Sequence, residues 1–339
     1  MEESLMKRLC YALSTFLIFV PLFVVLAKAP ETAKVIFTSR RDGNFEIYSM
    51  NPDGSDQINL TQHRAKDAAP VWSPTGEQIL FTSDRDGIED LYLMDPDGAN
   101  VRQVFKKLIG REFPTWSPDG KALAYHRFHT FSIYTASIDG ENEEKLTDGL
   151  WPAWSPSGAE IAFMAGEFVW ADNGNLRFPD VRIEIINLQT HVKEKLLPKS
   201  IWMYRPTWSP DSAQIAFTWT GRQEDGFLGG KVGVHIKSIY IVNRDGSGLE
   251  RIIDSGENTS VSNPTWSPRG NELIYNIYNH QGRGSRQLFK AILDGGVPEQ
   301  LTHRGDNLRA NWFDPAFALP VSPQPSLLTT TWGKLKTQD

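Results

Sequence analysis

The chain has 339 residues, and its 27 Gly and 21 Pro, 48 in all, outnumber its 41 acidic residues, which excludes a long helical bundle. Hydrophobic residues at 40% and aromatics at 11%, with only 22% charged, are enough for a sizeable core and too little charge for disorder. Thirty-five Lys and Arg give a net charge of −6, with no basic excess of the kind that binds nucleic acid.

The first element is Leu9 to Ala27, an uncharged stretch preceded by Lys7 and Arg8. As a helix its 19 residues would rise about 28 Å against a hydrocarbon core of roughly 30 Å. The cations ahead of it hold the N-terminus in the cytoplasm and place everything after Ala27 across the membrane, so a periplasmic or extracellular location is expected. Val25 to Ala27 and Ala27 to Ala29 both offer small residues at cleavage spacing, although Pro30 makes a poor scissile bond after the second, and the length suits a retained anchor; both readings stand. Cys10, the single cysteine, lies inside this stretch, so disulfides, thiolate metal sites and a cysteine nucleophile are excluded beyond it.

Beyond the junction, Trp-Ser-Pro recurs at Trp72, Trp116, Trp154, Trp208 and Trp266, and a degenerate copy follows at Trp312 to Pro315. A proline stands two residues before each of the five, at Pro70, Pro114, Pro152, Pro206 and Pro264. Between copies the chain alternates short apolar runs with turn residues. Ser73-Pro74-Thr75-Gly76 suits a type I turn, and Asp84-Arg85-Asp86-Gly87 and Asp95-Pro96-Asp97-Gly98 make two more. Each repeat thus predicts four short antiparallel strands, and that recurrence is the signature of a β-propeller blade rather than a sandwich.

Residues 34–315 accommodate six blades of about 47 residues. The first unit (Val35 to Thr38, Asn44 to Met50, Gln57 to Thr61) lacks a Trp-Ser-Pro strand, whereas the Trp312 strand has no unit after it. Joining them completes a sixth blade and removes the open edges. The organisation expected is therefore a signal or anchor with junction (1–33), an all-β six-bladed propeller (34–315) and a Pro- and Thr-rich tail (316–339).

The combination of Pro-x-Trp-Ser-Pro, Phe-Thr-Ser-x-Arg-Asp-Gly, Ile-Tyr-x-Met-Asn-x-Asp-Gly-Ser and Leu-Thr resembles the TolB-type (WD40-like) β-propeller repeat over nearly all of residues 34–315. The family's namesake carries a small α/β domain ahead of its propeller. Between Ala27 and Lys34 there is no room for one, so a role in the Tol system does not carry over. What the resemblance implies is a binding platform.

The repeat tryptophans are expected to pack between blades. The Asp-Gly segments read as hairpin turns, since the spacing of a calcium loop with its terminal Glu is absent. The seven histidines show no His-Glu-x-x-His and no close trio, and read as solvated loop residues; no metal or other cofactor is expected. Gly-x-Ser-x-Gly, Walker A and dinucleotide fingerprints are all missing, whereas carboxylates paired across blades stay open.

Candidate binding residues lie on the loops leading into each inner strand. That ring brings Asp67, Arg111, Phe113, Trp151, Tyr204, Arg205 and Arg309 towards the channel, several of them types favoured at interface hot spots. Two long second hairpins, Gly166 to Pro179 and Gly221 to Lys237, are expected on the same face. The reading that follows is an exported, monomeric, non-enzymatic platform for a protein or envelope-associated partner, touching the membrane only through its N-terminal segment. The alternative is a lyase or hydrolase acting on a polysaccharide or peptide in the channel, with His63 and His303 as first candidates for a metal.

Overall fold

The computed structural model describes residues 28–170, 176–197, 203–220, 237–256, 258–281 and 284–320, and these form six four-stranded antiparallel sheets. The innermost strands are Asp67–Trp72, Glu112–Trp116, Leu150–Trp154, Met203–Trp208 and Thr259–Trp266 in blades 2 to 6. Blade 1 takes its innermost strand, Asn307–Phe313, from the other end of the propeller, paired to Lys34–Ser39 with Val35 opposite Trp312. The expected six-bladed ring and its closure are both observed.

Each repeat tryptophan packs against the blade before it. Trp72 lies with Ile36, Ile47 and Phe313 of blade 1, Trp116 with Leu80 and Leu93 of blade 2, and Trp208 with Ile183 and Leu196 of blade 4. The indole N–H groups of Trp208 and Trp266 donate across the blade boundary to the carbonyls of Ala153 (3.0 Å) and Thr207 (3.2 Å). Burying a large aromatic at each seam contributes roughly 2–3 kcal/mol by area alone.

The turns also serve the seams. The Asp-Gly glycines hold positive φ and press on the preceding blade: a Cβ on Gly98 would stand 2.2 Å from the Leu60 carbonyl oxygen, and one on Gly54 2.6 Å from that of Leu301. The second of these contacts spans the closing seam between blades 6 and 1. Lys290 reinforces it by donating to the Pro52 carbonyl at 3.1 Å. In the Arg-Asp-Gly turns, Arg41 and Arg85 lie over the rings of Tyr48 and Tyr92, whose hydroxyls donate to Asp42 and Asp86.

The expected second hairpin of blade 4 is a continuation of two long strands, Glu160–Trp170 and Leu176–Asn187. Most of its counterpart in blade 5, residues 221–236, lies outside the described residues, as do Leu9 to Ala27 and 321–339. Among the described residues no helix is long and apolar enough to cross a membrane. After Phe313 the chain makes one 3₁₀ turn, Pro315–Phe317, capped by Asp314, and Leu319 N–H then donates to the Pro74 carbonyl (3.0 Å) on the Ser-Pro face of the ring.

Ending the chain before Arg309 removes most of the strand that closes blade 1. The product is expected to show no cooperative thermal transition by calorimetry; a soluble, cooperatively melting product would refute closure as the source of stability.

Candidate functional site

The inner strands share a defect with a common geometry. In every blade the register with the second strand slips, so that two inner-strand residues stand opposite one: Ala69-Pro70 opposite Phe81, Phe113-Pro114 opposite Tyr125, Trp151-Pro152 opposite Phe163, Arg205-Pro206 opposite Phe217, Asn263-Pro264 opposite Tyr275 and Arg309-Ala310 opposite Phe37. The first residue of each pair is left-handed, with φ between 51° and 58°. These are β-bulges, and proline suits the second position because it has no N–H to leave unpaired. A left-handed non-glycine residue costs about 1–2 kcal/mol, so six of them are held by the surrounding sheet. Some of their N–H groups are taken up by the previous blade: Ala69 donates to Thr38 Oγ1 (3.0 Å), Asn263 to Thr218 Oγ1 (3.2 Å) and Trp151 to His126 Nδ1 (3.1 Å).

The bulge faces its first residue into the channel. The candidate ring therefore lies within the inner strands rather than on loops before them, and its members meet. Phe113 stands edge-on to Trp151 with centroids 6.1 Å apart, and Trp151 lies 5.7 Å from Tyr204. The guanidinium carbons of Arg205 and Arg309 sit 4.5 Å and 4.3 Å from the centre of the Phe113 ring. Phe168 of the long hairpin stacks on Phe131 beside this cluster. Lys66, Ala68, Thr82, Glu89 and Glu112 complete a cavity of about 240 Å³. A wider recess of about 450 Å³, ringed by the repeat tryptophans and the prolines of the Ser-Pro turns, opens at the opposite end.

Charge in the cavity is unevenly compensated. Lys66 pairs with Glu89, and the Glu112 carboxyl is pushed up to about 7 by burial and by the Glu89 charge, against the pull of Lys66 and Arg309. Burial and the charge of Arg309 lower Arg205, and burial and the charge of Arg286 lower Arg309 to about 10 against the pull of Glu112; guanidinium groups stay protonated in proteins. His126, stacked on Phe113 at 5.1 Å, is fully buried and pushed down to about 3 by burial and by the two arginines. Its Nδ1 accepts a hydrogen bond, so the neutral ring carries its proton on Nε2.

Two of the seven candidates stand apart from this cluster. Arg111, buried and 3.6 Å above the Phe105 ring, gives its donors to Asp90 of blade 2 (2.9 Å) and Glu143 of blade 3 (2.8 Å) and so clamps two blades together. Asp67 is buried, with a carboxyl raised by burial in spite of Ser83 and Arg85, and receives Arg85 at 3.1 Å. Their bonds are those of structural ion pairs. His63 Nδ1 accepts from Ala65 N–H and His303 is exposed; among the described residues no three His, Cys, Asp or Glu side chains converge on a point.

A family model described as the TolB beta propeller domain matches residues 23–168. The crystal structure of TolB from Acinetobacter baumannii superposes with a TM-score of 0.64 at 18% identity, covering 83% of this chain and 66% of that one. A putative TolB from Agrobacterium tumefaciens gives 0.59 at 20% identity, covering 83% and 98%. The chain carries the TolB-type propeller repeat. A curated relative, an uncharacterized protein of Agrobacterium fabrum, is 28% identical over 196 residues; the match takes in 56% of this chain and about half, 52%, of the relative.

In this TolB-type propeller, sequence reasoning missed three members of the site. His126 read as a solvated loop residue, yet it occupies the second-strand position at which Thr38 and Thr218 receive the next blade's bulge. That register, once aligned blade to blade, was the available signal. Glu89 and Glu112 are the carboxylates paired across blades that the sequence left open, contributed by blades 2 and 3.

Two outcomes test these roles. Arg111→Ala strands the fully buried Asp90 carboxylate and is expected to destabilise the fold by about 3–5 kcal/mol in denaturant titrations. Glu112 has a folded-state pKa above its ordinary 4.5, so its penalty is absent below that value and grows as pH rises towards 7. Stability should therefore fall across that window, and Glu112→Gln should flatten the fall in thermal melts taken at successive pH values.

Proposed function

We propose that this TolB-type propeller is a binding platform without catalytic activity, exported by its N-terminal segment, which receives a protein or envelope-associated partner at the channel mouth. The observation that carries this reading is the convergence of Phe113, Trp151, Arg205 and Arg309 on one cavity, with Tyr204 packed against Trp151. Aromatics and arginine fixed on strained strand positions lose little freedom on binding, and these types contribute most at hot spots. The Phe168 hairpin beside the mouth adds apolar surface for the partner. Export rests on the uncharged stretch Leu9 to Ala27 behind Lys7 and Arg8.

The Glu89 and Glu112 pair is the one feature that favours a channel lyase or hydrolase instead. The convergence of aromatic rings and arginines, however, supplies contact surface rather than a reacting group. Binding is the better account of the geometry.

Affinity capture from membrane extract tests the platform. The double variant Trp151→Ala with Arg205→Ala is expected to recover the partner of the parent chain at least about tenfold less well. Undiminished capture would remove this face from the function.

A further inference from the structure

We propose that the channel mouth is a carboxylate receptor, in which Arg205 and Arg309, held over Phe113, take an acidic side chain that the partner inserts. The proposal rests on the platform reading and names the chemistry the partner must present.

Most of the protein's other arginines in part-buried or buried sites are paired with carboxylates. Arg85 pairs with Asp67, Arg111 with Asp90 and Glu143, Arg127 with Glu143, Arg244 with Glu160 and Glu194, and Arg286 with Asp306. Arg41 has no ion pair but places its donors on Ser39, Gln57 and Asn307. In the channel both kinds of partner are missing: among the described residues neither Arg205 nor Arg309 has an ion pair or a hydrogen bond, and their contacts are to aromatic faces. Cation–π contact recovers about 2 kcal/mol each at desolvated sites, short of what two enclosed guanidinium groups lose with their water.

A second observation points the same way. Arg309 Nε and Thr82 Oγ1 are both buried without a partner, and both residues line the cavity. Tyr204, outside the cavity lining but packed on Trp151 of its wall, also has a buried hydroxyl without a partner. Buried donors are normally satisfied, and a cluster of orphans around one void describes the acceptor that is missing. Glu112, which lines the same cavity, is pushed up to about 7 by burial and by the Glu89 charge, so it offers the two arginines only part of a charge at neutral pH and makes no ion pair with either. Lys237, over the Tyr204 ring at 5.2 Å, adds a further cation to a protein whose overall charge is negative.

Size selects the form in which the carboxylate arrives. At about 240 Å³ the cavity holds the volume of roughly eight waters, enough for one acidic side chain and too small for a run of sugar residues. Phe113 and Trp151 supply apolar walls for the methylenes of that side chain.

Calorimetric titration of the 339-residue chain at low salt tests this with three probes: the capped tripeptide glycyl-glutamyl-glycine amide, its glutamine counterpart, and free glutarate. The glutamyl peptide is expected to bind at least about tenfold more tightly than the glutamine peptide, and to weaken at about 0.5 M salt while the glutamine peptide does not. Arg205→Gln and Arg309→Gln should each erase the preference while melting no lower than the parent, because each removes an enclosed unpaired cation. Equal binding of the two peptides, or binding of neither peptide nor glutarate, overturns the receptor; capture by the Trp151 and Arg205 double variant then judges the platform independently. Binding of glutarate but not of the glutamyl peptide overturns the inserted side chain in favour of a free acid, and with it the platform reading.

Discussion

A propeller blade has two faces and only its neighbours to bury them, so every seam in this ring depends on every other. The contact that makes this condition satisfiable is the pairing of Asn307–Phe313 with Lys34–Ser39, which joins the first blade from two ends of the propeller. Without it blade 1 would lose Trp312, Phe313 and Ala310 from the cores it shares with blades 6 and 2. The repeated residues act at the seams: tryptophan against the preceding sheet, and the Asp-Gly glycine against the preceding carbonyl. The periodicity of the sequence is therefore the periodicity of an interface.

The same closure governs the channel. Six inner strands converge around a space too narrow for regular pairing to continue unbroken, and each carries a bulge at its left-handed residue. That strain is tolerated because the opposing residue is a buried aromatic in every blade and the freed N–H is passed, in several blades, to the blade before. The structural frame leaves the identity of the bulged residue open, and here Ala69, Phe113, Trp151, Arg205, Asn263 and Arg309 occupy it in turn. Variation at a fixed backbone position is how one repeat can build a ring and also furnish a specific mouth.

Charge then separates the roles of residues that look alike in sequence. Arg111 immediately precedes an inner strand and Arg205 lies within one. Arg111 is locked by Asp90 and Glu143 into the seam of blades 2 and 3, with Glu143 held down to about 2 by Arg111, Tyr125 and Arg127 in spite of its burial. Arg205 and Arg309 both lie over the Phe113 ring, and neither makes an ion pair, although Glu112 lines the same cavity. The first arrangement stabilises the ring; the second leaves a demand for an anion at its centre.

Blade number, strand order, the closing strand and the seam role of Trp72, Trp116, Trp154, Trp208, Trp266 and Trp312 were legible in the sequence alone, because spacing and turn residues are local and repeat. The position that the bulge occupies was marked too, since it recurs before each Pro-x-Trp. What only the tertiary structure decided was which of those residues face one another. Whether Arg111 or Arg205 finds a carboxylate, whether His126 is wet or buried, and whether Glu89 reaches Glu112 depend on side chains from different blades brought together by curvature. A one-dimensional repeat records the pitch of the ring but not the contacts across its centre.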